Sequence, residues 1–190
     1  MKKLFICVLL LNFTYSFAQN SGSNSVEKRD VTHNELSIGA LNLVAFGALD
    51  LAYERILNED SSWSTEVFIQ ALNRDSEDVA DAYNRDFSLT GKYKYFFSAD
   101  YARGFYVEGF GMISNGEYTP DLVYTPNPNM PPVDHSKRYT DFALGFGVGG
   151  KFVASGGFFL DLSTGIGRNL LNDNAPTIVG QFNVNLGFRF

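Results

Sequence analysis

Residues 181–190 read QFNVNLGFRF, Gln181 through Phe190, and the reading of this stretch decides the fold. Side chains of an extended chain alternate between its two faces. Phe182, Val184, Leu186, Phe188 and Phe190 therefore share one face, and Gln181, Asn183, Asn185, Gly187 and Arg189 share the other. One face is apolar throughout and its reverse lacks any apolar side chain, as a strand between an apolar and a polar medium requires.

The same alternation recurs upstream. Eight stretches carry strand character: 35–46, 48–57, 63–73, 86–97, 104–116, 138–153, 156–169 and 177–190. The links after the second, fourth and sixth are short, and those after the third, fifth and seventh are longer (74–85, 117–137 and 170–176). Short and long connections alternate in this way in barrels that cross a membrane up and down. The link after the first stretch, near Phe46 and Gly47, is the exception, because it belongs to the long side and reads as tight. Pro120, Pro126, Pro128, Pro131, Pro132 and Pro176 all fall in links, where no ladder hydrogen bond is lost.

Side-chain size then orients the barrel. In the sixth stretch Asp141, Ala143, Gly145, Gly147, Gly149 and Lys151 lie opposite Phe142, Leu144, Phe146, Val148 and Phe152. In the seventh, Asp161, Ser163, Gly165, Gly167 and Asn169 lie opposite Phe158, Leu160, Leu162, Thr164 and Ile166. A soluble lipocalin-like barrel would put the bulky face inside and long Lys, Glu and Gln outside. Small residues suit the crowded lumen of eight strands, so the apolar face is expected to meet lipid. Trp63, Phe97, Phe105, Phe152, Phe158, Phe188 and Phe190 all fall near the short-link ends, as an interfacial aromatic girdle would.

Inward charges gather at that same end: Glu54, Glu66, Lys92, Lys94, Glu108, Lys151, Asp161 and Arg189. With strands ~4.8 Å apart, Lys92 and Lys94 reach Glu66 directly and Glu54 or Glu108 across the lumen. Unpaired charges there would be costly, so an interlocked plug of salt bridges is expected. Placing Glu108 inward also turns Tyr106, Phe110 and Met112 inward and Gly109 and Gly111 outward, which is the weak point of the frame.

The start of the chain agrees with export. Lys2 and Lys3 precede an apolar run over 4–11, and Ser16-Phe17-Ala18 places small residues where a signal peptidase reads, so residues 1–18 are expected to be removed before Gln19. The run is too short to span a bilayer. Residues 19–33 have no periodicity and read as a flexible leader, leaving 34–190 as one barrel domain. Cys7 is the only cysteine and lacks a lipid-attachment context, so the mature chain has no disulfide, thiol nucleophile or Cys-ligated zinc. It would carry 13 basic against 21 acidic side chains, which makes nucleic acid an unsuitable partner.

With its signal segment, eight alternating stretches, alternating links and terminal Phe190, the chain resembles the small OmpA/OmpX-type eight-stranded bacterial outer-membrane barrels. The resemblance implies an all-β, eight-stranded antiparallel up-and-down transmembrane β-barrel, and no peptidoglycan-binding domain is expected after it because the sequence stops with the eighth stretch. It further implies Sec-dependent export, insertion by the outer-membrane barrel assembly machinery through Phe182, Val184, Leu186, Phe188 and Phe190, and contact with outer-membrane lipid and lipopolysaccharide.

No cofactor or metal site is expected. Asp134-His135-Ser136 holds the residue types of a hydrolytic triad, but neighbours in a Pro-rich link do not converge as a triad does. Neither His33 nor His135 stands on a strand beside a serine, so an enzyme is not expected. Asp75, Glu77, Asp78, Asp81 and Asp86 form an acidic link without the ligand order of a calcium loop. Tyr118-Thr119-Pro120 recurs as Tyr124-Thr125-Pro126 and is either a recognition surface or the link's own packing. The expected role is a non-enzymatic scaffold displaying outer loops, and the alternative is a narrow channel or transporter for small solutes, hydrophobic ones included.

Overall fold

The computed structural model describes residues 33–71, 85–98, 101–118, 137–172 and 175–190. The expected export segment, the expected leader up to residue 32, the acidic residues 75–81, the link residues 119–136 with both Tyr-Thr-Pro threonines and prolines, and Asp134-His135-Ser136 lie outside them.

Alternation produces eight strands: β1 (Asn34–Gly39), β2 (Ala48–Ile56), β3 (Ser61–Gln70), β4 (Phe87–Phe96), β5 (Gly104–Tyr118), β6 (Lys137–Val153), β7 (Phe158–Asn169) and β8 (Ile178–Arg189). Each pairs antiparallel with its sequence neighbours, and β1 pairs with β8, so the sheet closes as an up-and-down barrel. Closure leaves no exposed sheet edge where the pairing is complete. Backbone bonds from Asn34 N to Phe190 O (3.1 Å) and from Phe190 N to Asn34 O (2.8 Å) join the first and last residues of the ring.

The tight ends are built by local chemistry. Asn58 Oδ1 accepts from Asp60 N at 3.0 Å and Ser61 Oγ at 2.9 Å, setting the β2–β3 turn. Gly157 adopts φ +86° in the β6–β7 turn, a conformation that favours glycine, and its N–H donates to Ala154 O at 3.0 Å.

The first expected strand, 35–46, is corrected. It stops at Gly39, and Ala40–Phe46 forms a short helix, α1, which ends at Gly47 in the left-handed conformation (φ +62°). The reason is parity. Leu36 faces outward at 54 % exposure and Glu35 inward at 1 %, so a continued strand would set Asn42 on the apolar outer face. The helix instead turns Asn42 inward, where Nδ2 donates to Asp50 Oδ2 at 2.6 Å. This also removes the exception in link lengths, because the β1–β2 connection is a helix on the same end as the other long links.

Strand five keeps its inward frame, with Tyr106, Glu108, Phe110 and Met112 all buried. Their register partners on β6 are Gly149, Gly147, Gly145 and Ala143. Each large side chain of β5 leans over a small residue of β6: a Cβ placed on Gly149 would strike the Tyr106 ring, and one on Gly145 the Phe110 ring. On the outer face of β5, a Cβ at Gly109 would meet open space. The lumen is thus filled in three zones. Ile56, Phe96, Ala102 and Tyr106 close the short-turn end, charged groups follow, and Phe110, Met112, Ala143 and Val179 make an apolar zone toward the long connections.

Candidate functional site

Period-two alternation on six strands turns Glu54, Glu66, Lys92, Lys94, Glu108, Lys151 and Asp161 into the lumen, each no more than 5 % exposed. Arg189 joins them at the short-turn end. Among the described residues six ion pairs link all of these groups except Glu108, with Glu35 as a further acid. Lys94 Nζ bridges Glu54 at 2.8 Å and Asp161 at 2.6 Å. Lys151 Nζ bridges Glu35 and Glu54, both at 2.5 Å, and Arg189 holds Glu35 at 2.6 Å. Lys92 pairs with Glu66 at 2.6 Å. Tyr106 Oη donates to Asp161 Oδ1 at 2.6 Å and Ser62 Oγ to Glu54 Oε1 at 2.6 Å. Every ammonium in the chain of contacts thereby meets a carboxylate, which is the condition for charge to be tolerated in a low-dielectric interior.

Two details depart from the sequence reading. Glu108 is not a partner of either lysine: it lies over Gly147, and neither carboxylate oxygen is hydrogen-bonded within the described residues. Lys94 crosses the barrel to Asp161 instead. Glu35 was missed, although it is the acid shared by Lys151 and Arg189. Its signal lies in closure, since Glu35 stands opposite both Arg189 on β8 and Glu54 on β2.

The Glu66–Lys92 pair is separable from the larger network, and a double-mutant cycle measures it. Glu66→Gln alone is expected to destabilise by about 3 kcal/mol, and Glu66→Gln with Lys92→Met by clearly less, because the double change leaves no lone buried charge. Equal losses in urea midpoints would mean that the two are not coupled.

At the long-connection end Asp141 performs a different task. Its carboxylate accepts from the backbone N–H of Leu171 at 2.8 Å, of Asn172 at 3.1 Å and of Leu170 at 3.3 Å, tying the β7–β8 connection to β6. Asp141→Ala is expected to cost about 2 kcal/mol and to speed amide exchange at Leu171 and Asn172. Unchanged exchange there would show that other contacts hold the connection. Arg85, also missed, lies buried with its guanidinium 4.8 Å above the Phe68 ring and Nη1 on Gly180 O at 3.1 Å.

The short-turn end is sealed by Arg189, whose Nη1 and Nη2 donate to Tyr101 O at 3.1 Å and Ala102 O at 2.8 Å. His33 faces Tyr101 Oη at 3.1 Å. On the outer wall Trp63, Phe97, Phe105, Phe152, Phe158, Phe188 and Phe190 are all exposed near that end. Phe97 stacks on Phe105 at 5.8 Å and Phe158 meets Phe188 edge-on at 5.1 Å. On β8, Phe182 and Leu186 are exposed and Val184 is half-buried.

Among the described residues no group of three His, Cys, Asp or Glu side chains is placed to hold a metal ion. No described helix is long and apolar enough to cross a membrane, which says nothing of strands. No family model, no curated protein and no solved structure matches this chain.

Proposed function

We propose that this chain is an integral outer-membrane barrel, reached by Sec-dependent export, whose barrel is a non-enzymatic scaffold for the connections at its long end. One observation carries the reading: the distribution of polarity is inverted. Among the described residues twenty-nine large hydrophobic side chains are exposed while eleven charged residues are buried. A water-soluble protein rarely exposes apolar patches of more than a few hundred Å², whereas hydrocarbon solvates such a wall. Every strand is paired on both sides over the lower half of the ring, as backbone in lipid requires. The aromatic ring at the short-turn end suits a membrane interface, with lipid and lipopolysaccharide as its surroundings. Six ion pairs inside the lumen favour a filled scaffold over a channel.

Membrane fractionation, followed by gel migration before and after boiling, tests this. The protein is expected in the outer-membrane fraction, with a folded band that shifts on boiling. A mature chain that stays monodisperse in detergent-free buffer would overturn the proposal. Phe190→Ala is expected to lower the yield of the heat-shifting band without changing synthesis, because the β8 alternation is the feature the assembly machinery would read. An unchanged yield would remove Phe190 from that role.

A further inference from the structure

Among the described residues the charged zone of the lumen holds one acid more than it holds bases. Glu35, Glu54, Glu66, Glu108 and Asp161 stand against Lys92, Lys94, Lys151 and Arg189. Four of the five acids have an ammonium or guanidinium at 2.5–2.8 Å. Glu108 has none: it is 3 % exposed, and neither of its oxygens is hydrogen-bonded among the described residues. The two acids nearer the long connections are provided for separately. Asp141 accepts from backbone N–H groups, while Asp50 accepts from Asn42 and has Arg85 over its register partner Phe68. The surplus charge therefore falls on Glu108, and an unpaired carboxylate in so buried a place is strongly disfavoured.

The surrounding strands supply no counter-charge of its own. On β4 its register partner Lys94 is bound to Glu54 and Asp161. Lys92 is bound to Glu66 and, with the Asn183 amide turned to suit both neighbours, donates to its oxygen at 2.9 Å. On β5 itself the Tyr106 hydroxyl is committed to Asp161. The groups that face Glu108 from β3 and β7 are themselves acids, Glu66 and Asp161. On β8, Asn185 stands opposite Asp161, with an Oδ1 that also lacks a hydrogen-bond partner among the described residues. Lys151 of β6 is held by Glu35 of β1 and Glu54 of β2. A Cβ on Gly147 would stand 3.1 Å from Glu108 Oε1 and 2.7 Å from Thr164 O. Carboxyl and backbone carbonyl thus flank one small gap, acceptor against acceptor.

We propose that Glu108 is a proton-binding site: the barrel closes around one proton, held on the Glu108 carboxyl, which supplies the positive charge that the lumen lacks. The neutral acid removes the unpaired charge and turns one of the facing acceptors into a donor. A proton needs no cage, whereas a hard metal ion takes about six oxygen ligands. Among the described residues no three His, Cys, Asp or Glu side chains converge to begin such a cage. Folding then takes up one proton per chain. An ionised Glu108 would compete with Glu54 and Asp161 for Lys94, and with Glu66 for Lys92. The site lies inside the ring, so it does not depend on which medium wets the outer wall.

The test is infrared spectroscopy of the full chain refolded into dimyristoylphosphatidylcholine vesicles at neutral pH. A protonated carboxylic acid shows a carbonyl stretch apart from the carboxylate bands, and the band shifts in D2O. It is expected in the unaltered chain and in Asp50→Asn, and it should vanish in Glu108→Gln. Its absence from the unaltered chain, or its persistence in Glu108→Gln, would overturn the proposal. A second readout is stability against pH. The folded barrel keeps a proton that the unfolded chain releases above about pH 4.3, so its folding constant should fall by up to about tenfold per pH unit until folded Glu108 ionises. Glu108→Gln lacks that component, and parallel profiles for the two chains would count against the site. Glutamine matches the neutral acid in size and charge, so Glu108→Gln is expected to refold fully, and failure to do so would contradict the proposal. Stability that drops when sodium is replaced by N-methylglucamine at equal ionic strength, with no protonated-acid band, would give the site to an alkali ion instead. Should no chain fold in vesicles, the membrane reading falls, and the same spectra taken in detergent-free buffer decide the proton site by itself.

Discussion

Glu54→Gln is expected to lower the stability of the folded barrel by about 3–5 kcal/mol, one of the two largest effects anticipated for a single substitution here. Glu54 is the acid on which two ammonium groups converge, Lys94 at 2.8 Å and Lys151 at 2.5 Å, and it also accepts from Ser62. Glutamine fills the same space but withdraws the charge and replaces one acceptor oxygen with an NH2 donor that faces other donors. Lys94 and Lys151 keep Asp161 and Glu35, so part of the compensation survives. Adding Lys151→Met to Glu54→Gln should recover stability, because the surplus cation leaves with its partner. Glu59→Gln, in an exposed turn, should change stability by no more than about 0.5 kcal/mol. Urea titrations in lipid vesicles, read by Trp63 fluorescence, measure all three. A Glu54→Gln midpoint matching that of Glu59→Gln would refute the network as a source of stability.

Gly145→Val is expected to cost about 3 kcal/mol or to prevent the barrel from forming, whereas Gly109→Val should be close to neutral. Both glycines lie within paired strands, and they differ in the face they present. A Cβ at Gly145 would come closer than 3.0 Å to the Phe110 ring and to Ile166 O, while one at Gly109 has nothing within 4 Å. The ring can yield by changing rotamer, but the carbonyl belongs to the sheet and cannot. Trimming the ring with Phe110→Ala should therefore rescue Gly145→Val only in part. Heat-shifting yield and urea midpoint report both variants. Comparable losses at the two glycines would show that backbone freedom, and not the space over β6, is what these positions supply.

Eight strands and their inward faces were legible in the sequence because period-two alternation is strong wherever two media differ, as from Gly145 to Lys151 or from Gln181 to Phe190. α1 was not, since ALNLVAF is a seven-residue stretch, apolar but for Asn42, that suits a strand or a helix equally. The parity of Asn42 was the available clue, and it becomes decisive only once Asp50 is known to stand within 2.6 Å. The charged lumen was legible as a set of residues but not as a set of pairs. Lys92 with Glu66 joins neighbouring strands, whereas Lys94 with Asp161 depends on the stagger of a closed ring, which no local pattern encodes. Glu35 escaped for the same reason, because its partners come from β6 and β8. The inward turn of β5 looked awkward until the glycine row of β6 was seen to receive it.

Among the described residues the ion pairs of the lumen join positions 26 to 154 apart in the chain, and four of the six span 67 or more, with Arg189 and Glu35 at the far extreme. A growing, half-curled ribbon cannot satisfy those four, so the ionised groups they join keep their hydration until the ring closes. Neutralisation and ring closure are then a single event. The final strand carries the bolt: Glu35 gains its second cation, after Lys151, only when Arg189 arrives beside it.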